Sequence, residues 1–117
     1  MTDIKRLKTG QRMSQAVIHG NTVYLAGQVA TGADGKSVAE QTRDILDRID
    51  ALLKEAGTDK SKLLSATIWL ADISSFAEMN TIWDSWVSAG NTPARACVEA
   101  KLASPEYTVE IGIIAAL

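Results

Sequence analysis

The chain reads as an α+β protein, a mixed β-sheet covered on one face by two helices. Three observations predict this. β-rich runs bounded by Gly, Asn and Pro fill the first and last thirds of the chain. Two stretches of helical periodicity lie between them, and a further β-rich run separates the two helices. The order is β-β-β-α-β-α-β-β in a single domain over residues 1–117, long enough for one core.

Residues 2–8 are a short N-terminal strand candidate. Ser14–Ile18 and Thr22–Val29 form a hairpin around the turn residues Gly20-Asn21, and residues 31–36 (TGADGK) make a polar loop. A helix runs from about Val38 to Ala56. Ser37 with Glu40 three residues later forms a capping box, and Gly57 is placed to end the helix in a left-handed conformation. Val38, Ile45, Leu46, Ile49, Leu52, Leu53 and Ala56 recur at helical spacing as one buried stripe. Leu63–Ala71 reads as a strand. A second helix follows, with Ser75 and Glu78 as its capping box, Phe76, Met79, Ile82, Trp83, Trp86 and Val87 as its apolar side, and Gly90 as its end. Ala94–Leu102 and Tyr107–Ala115 are the last two strands. Since VYLAGQVA and VEIGIIAAL are apolar on both faces, the bare side of the sheet calls for a second subunit.

Composition narrows the function. A net charge of −2 with interspersed acids and bases argues against a dedicated nucleic-acid binder. The one cysteine, Cys97, excludes an internal disulfide, no apolar run approaches a membrane span, and the N-terminus lacks a signal-peptide stretch, so a cytoplasmic location is the default. His19 is the single histidine and reads as a turn or rim residue. No metal site and no cofactor are expected.

Chemistry concentrates in the last two strands. In Thr92-Pro-Ala-Arg-Ala-Cys-Val-Glu-Ala, strand alternation puts Arg95, Cys97, Glu99 and Lys101 on one face. Ala94, Ala96, Val98, Ala100 and Leu102 then point to the other, toward the helices. Small neighbours leave space around Arg95, whose guanidinium suits bidentate capture of a carboxylate, with a salt bridge as the competing reading. Glu110 lies in an otherwise apolar strand. It is either a partly buried carboxylate with a raised pKa, suited to activating water, or one side of a cross-sheet ion pair. Cys97 has no histidine partner and reads as an inert thiol. Trp83 and Trp86 fall on the apolar side of the second helix, so the tryptophans read as core rather than as a base-stacking platform.

In order and spacing, several segments resemble the Rid (YjgF/YER057c/UK114) family along almost the whole chain. They are Ser14-Gln-Ala-Val, Ala26-Gly-Gln-Val, Gln41-Thr-Arg, Leu52–Gly57 and Ala66–Asp72, followed by Phe76-Ala-Glu-Met-Asn, Pro93-Ala-Arg-Ala-Cys-Val-Glu-Ala and Val109-Glu-Ile. The resemblance implies a chorismate-mutase-like fold and a homotrimer with clefts between subunits. It also implies hydrolytic deamination of reactive 2-imino acids, such as 2-iminobutanoate or 2-iminopropanoate, to 2-keto acids and ammonia. The family's carboxylate-binding arginine corresponds to Arg95 and its water-orienting glutamate to Glu110, while Cys97 contributes backbone to the pocket.

Two departures bear on the substrate. Where active deaminases of the family carry a tyrosine that reaches the pocket from a neighbouring subunit, this chain has Met13, preceded by Arg12. Where they carry a serine before Gly-Gln, it has Ala26. Both changes remove polar contacts and bring the chain closer to a paralogue group than to the founding deaminase, with Arg12 as a candidate replacement contact. The competing functions are a non-catalytic carboxylate-binding regulatory trimer and, against the charge balance, an endoribonuclease or translation inhibitor.

Overall fold

The computed structural model describes residues 3–117. Its strands are β1 (Ile4–Thr9), β2 (Ser14–His19), β3 (Thr22–Leu25), β4 (Gln28–Val29), β5 (Leu63–Leu70), β6 (Ala94–Glu99) and β7 (Val109–Ala116). The helices are α1 (Val38–Ala56), between β4 and β5, and α2 (Phe76–Trp86), between β5 and β6. The sheet order is β1-β2-β3-β7-β5-β6, with β4 also on β7. β5 and β6 run parallel, as a crossover through α2 requires, and the other pairs are antiparallel. The expected α+β fold is present.

α1 forms for the expected reasons. Ser37 Oγ accepts from Glu40 N at 3.1 Å, and Gly57 closes the helix at φ 93°, donating to Leu53 and Lys54 carbonyls. Its buried stripe of Ile45, Leu46, Ile49, Leu52 and Leu53 packs over β2, β3, β4 and β7. There it meets Ala16, Val23, Leu25, Ile111, Ile113 and Ala115. Gln41, fully buried on the same helix, donates to the Lys36 and Glu106 carbonyls at 3.1 and 2.8 Å and accepts from Thr108 N at 2.9 Å. Those bonds pin the loop entering β7 to the helix, and they satisfy a buried amide that would otherwise be costly.

Several boundaries and one cap differ from expectation. Thr2, at the start of the expected first strand, lies outside the described residues. The run Thr22–Val29 breaks at Ala26-Gly27, because Ala26 N donates to Gln15 O at 2.9 Å while the next residues shift their pairing to β7. The Ser75–Glu78 capping box does not form. Ser75 Oγ donates to the Asp72 carbonyl, and Glu78 instead accepts from Ala39 N at 2.9 Å in the first turn of α1. Ser75 N already donates to the Asp72 carbonyl at 3.1 Å, so the donor a capping box would offer Glu78 is taken. α2 ends at Trp86, where Val87 turns extended, and Gly90 (φ 79°) serves the following turn. β6 stops at Glu99, short of Leu102, and β7 begins at Val109 rather than Tyr107.

The face assignment of β6 is reversed. Register places Arg95 beside Ala66, Cys97 beside Ile68 and Glu99 beside Leu70. Ala66, Ile68 and Leu70 are buried under the helices, so Arg95, Cys97 and Glu99 lie on the helix side and Val98 on the open side, 47% exposed. The alternation was right. The side was not, because an edge strand with small residues shows no apolar preference strong enough to reveal which face is covered.

The open face carries Val17, Tyr24, Trp69, Val98 and Ile114, with Tyr24 46% exposed. An apolar patch on an uncovered sheet face marks a surface for interaction.

Candidate functional site

Arg95 stands at the start of the edge strand β6, under α2. Its guanidinium carbon sits 5.4 Å from the Trp83 ring and 5.7 Å from the Phe76 ring, within cation–π range. Nη1 donates to Asn80 Oδ1 at 2.8 Å. Phe76, Asn80 and Trp83 are one stripe of α2, spaced i, i+4 and i+7, and together they hold a long side chain against one wall. Among the described residues, Asn80 is its one hydrogen-bond partner, which leaves most of the fork's five N–H donors for a ligand. Among the described residues Arg95 has no carboxylate partner, so they supply no salt bridge for it within the protomer.

Glu110 occupies a different place. On β7 the helix-facing residues are Val109, Ile111, Ile113 and Ala115, so Glu110 projects from the open face, opposite Trp69 of β5 and Val29 of β4. Burial among these apolar neighbours raises its pKa above the ordinary carboxylate value. Its carboxylate lies against the backbone of Gly27: a Cβ built there would overlap Oε2 and stand 3.1 Å from Cδ. The break between β3 and β4 thus brings a side-chain-free backbone up to the acid. The expected partly buried carboxylate is present. Next to it, Gln28 Nε2 donates to Gln15 Oε1 at 2.9 Å and to the Ala26 carbonyl at 3.0 Å, tying the β2 strand to the same corner.

Arg95 and Glu110 do not meet within one protomer. They sit on opposite faces, two strands apart across β5, and their register partners Ala66 and Trp69 are three residues apart, about 10 Å along the strand. Cys97 packs against the core beneath Arg95. Burial raises its thiol pKa and Arg95 only partly offsets this, so the thiol is protonated at neutral pH.

Arg12 and Met13 lie in the β1–β2 turn, lining with Lys8, Gly10, Gln11 and Gln15 an open concavity of about 640 Å³. Met13 is 46% exposed. Ala26 precedes Gly27, the residue whose backbone lies against Glu110, and its own N–H donates to Gln15. The candidate residues thus fall in separate places: Arg95 and Cys97 on the helix side of the edge strand, Glu110 on the open face of β7 with Ala26 at the neighbouring β3–β4 break, and Arg12 and Met13 in the β1–β2 turn.

Two participants escaped the sequence reading. Asn80 was visible as one position of the Phe76–Asn80–Trp83 stripe, but nothing local says that a strand arginine docks there. Gly27 carried a signal, since an isolated glycine inside a strand run marks a bulge or a close approach. Among the described residues no group of His, Cys, Asp and Glu is arranged to hold a metal ion, and no helix is long and apolar enough to cross a membrane.

Comparison with known proteins bears on the whole chain. The family model described as Endoribonuclease L-PSP matches residues 3–117. A RutC family protein of Escherichia coli is 47% identical over 114 residues, covering 97% of this chain and 98% of that protein. A crystal structure of a YjgF-family member from Neisseria meningitidis superposes with a TM-score of 0.94 at 50% identity, covering 97% of this chain and 94% of the other. A Rid-family protein of Yersinia pestis, described as of unknown function, gives 0.86 at 31% identity, with 93% and 90% covered. Sequence, model and fold agree along essentially the full length, and the chain belongs to the Rid/YjgF (Endoribonuclease L-PSP) family.

Proposed function

We propose that the protein hydrolyses reactive 2-imino acids to 2-keto acids and ammonia, in clefts formed between the subunits of a homotrimer. One observation carries the proposal: a carboxylate fork and a desolvated acid each stand beside an unfinished surface, and they lie on opposite faces of one sheet. Neither makes a complete site alone. Stacking the apolar open face of one subunit against the Arg95 edge of another brings the two groups into one cleft. It also covers Tyr24 and Val98.

In that cleft Arg95 binds the substrate carboxylate through two parallel N–H donors, with Asn80, Phe76 and Trp83 fixing its direction. A protonated imine is already electrophilic, so water needs only orientation and a proton acceptor. Glu110 takes the proton as the water oxygen bonds to the imine carbon and the C=N π pair moves to nitrogen. The same carboxyl then returns the proton to nitrogen. The C–N bond breaks, ammonia leaves, and loss of the hydroxyl proton gives the keto acid. The raised pKa of Glu110 suits a group that must both accept and return that proton. The backbone of Cys97 borders the cleft; its protonated thiol takes no part.

The test couples an amino-acid oxidase or dehydratase to the purified protein and follows imine decay. Loss of the acceleration in Arg95→Ala supports the assignment, and full activity in that variant refutes it. Ligand binding without turnover would instead indicate a sensing trimer. The name of the family model raises ribonuclease activity as a second reading, which metal-free RNase assays discriminate.

A further inference from the structure

We infer that Trp69 is a positioning residue for the reaction: its indole, bedded on Gly112, holds the Glu110 carboxylate over Gly27; the inference rests on the deaminase reading above. On the open face the positions of β5, β7 and β4 form two rows. In the first, Trp69 and Val29 stand on either side of Glu110. In the second, Thr67 stands opposite Gly112, and continuing the β4 register by one residue sets Gly27 on the other side of it. Two adjoining glycines thus leave a stretch of bare backbone next to the acid.

Both Trp69 and Glu110 lean onto that floor. The far edge of the Trp69 ring lies over Gly112, with Cη2 and Cζ3 each 3.4 Å from where a Cβ would stand. The Glu110 side chain lies over Gly27, its Cδ 3.1 Å from the Cβ position there. Neighbouring strands are about 4.8 Å apart, so ring and carboxylate lie flank to flank. The space over Gly112, along its own strand, is the nearest alternative place for the carboxylate, and the ring fills it. An indole beside the acid also excludes water from that flank, in keeping with the raised pKa of Glu110. Charge does not compete with this cause. Around Glu110 the open face presents Ser65 and Thr67 from β5, Val29 from β4 and Ile114 from β7, none of them titratable. β3 adds the titratable Tyr24, opposite Ile114 and about 13 Å along β7 from Glu110, while α1 packs on the other face. A base that activates water must stay aligned with it, and the ring removes the competing resting place.

The experiment titrates the Glu110 carboxyl carbon by NMR in the full-length protein, its signal identified by loss in Glu110→Gln, and measures kcat and KM for imine decay over the same pH range. In Trp69→Ala the titration and the acidic rise of kcat/KM should both move to lower pH as water reaches the carboxylate. At the same time kcat should fall by about tenfold or more with KM little changed. Trp69→Phe, which keeps an apolar ring in place, should recover most of both. Gly112→Val adds methyl groups beneath a ring already at contact distance and should reproduce Trp69→Ala with the tryptophan present. Native mass spectrometry follows the assembly of each variant, and Gly112→Val carries the test if Trp69→Ala does not assemble. An unmoved Glu110 titration, or a loss of kcat without such a shift, overturns the inference; loss of assembly in both variants assigns the pair a structural role and overturns it as well. If the wild type turns over no imine, the deaminase reading falls, and the titration alone decides whether Trp69 holds Glu110.

Discussion

Gly27→Ala separates the position of Glu110 from the stability of the fold. A Cβ at Gly27 would overlap Glu110 Oε2 and lie 3.1 Å from Cδ and 3.4 Å from Cγ. Restoring ordinary contact requires the carboxylate to retreat by roughly 1 Å. Because the obstructing atoms end a flexible side chain, that movement costs about 0.5–1.5 kcal/mol of rotamer strain. In a domain of this size the melting temperature should fall by only about 2–8 °C. Catalysis is far less tolerant: a 1 Å misplacement of a positioning group costs about 100-fold. The assay is kcat/KM for imine decay beside a thermal melt, in wild type, Gly27→Ala, Glu110→Gln and the double variant. If Gly27 acts through Glu110, the double variant is no worse than Glu110→Gln alone. Multiplying losses, or near-wild-type activity in Gly27→Ala, would refute the reasoning.

Subunit sharing makes a sharper claim than oligomeric mass alone: inactive Arg95→Ala and Glu110→Gln variants, unfolded and reassembled at equal ratio, should regain about a quarter of wild-type activity through random trimers. No recovery would place both groups in one subunit's site. Val98→Asp, at an exposed position near the end of β6, should dissociate the assembly and abolish activity together, as read by native mass spectrometry and imine decay. Asn80→Ala should raise KM by about two- to fivefold, the worth of one exposed hydrogen bond, with little change in kcat. Titration of Glu110 gives a signed prediction, because desolvation raises its folded-state pKa above the unfolded value. Its contribution to stability is therefore fully present below the unfolded carboxylate pKa and is lost as pH rises through the folded pKa. Urea melts across that window should show wild type losing ground to Glu110→Gln, and kcat/KM should rise over the same range in wild type only.

Local chemistry and tertiary placement made different contributions. Ser37, the apolar stripe of α1 and Gly57 announce their helix because capping and 3.6-residue periodicity act within a few residues. Arg95 among alanines and Glu110 in an apolar strand stand out for the same local reason, as polar groups whose surroundings must be explained. The two-faced apolarity of β3 and β7 likewise pointed to an uncovered sheet face, and Tyr24 and Ile114 lie there. Period-two alternation also grouped Arg95, Cys97 and Glu99 correctly.

What alternation lacks is a sign. Whether that group faces helix or solvent depends on how β6 docks beside Ala66, Ile68 and Leu70, contacts between residues about thirty positions apart in the chain. Glu78 shows the same limit: its spacing from Ser75 matched a capping box, yet Ser75 N donates to Asp72 and the carboxylate accepts from Ala39 N, 39 residues away at the start of α1. Only the fold could bring Gly27 against Glu110, stand Asn80 over Arg95, and set the fork and the acid on opposite faces. The sequence by itself marked which side chains are candidates for chemistry, because that is a property of residue type and immediate neighbours. Tertiary structure alone decided which of them can meet, because strand register and helix docking are set by long-range packing.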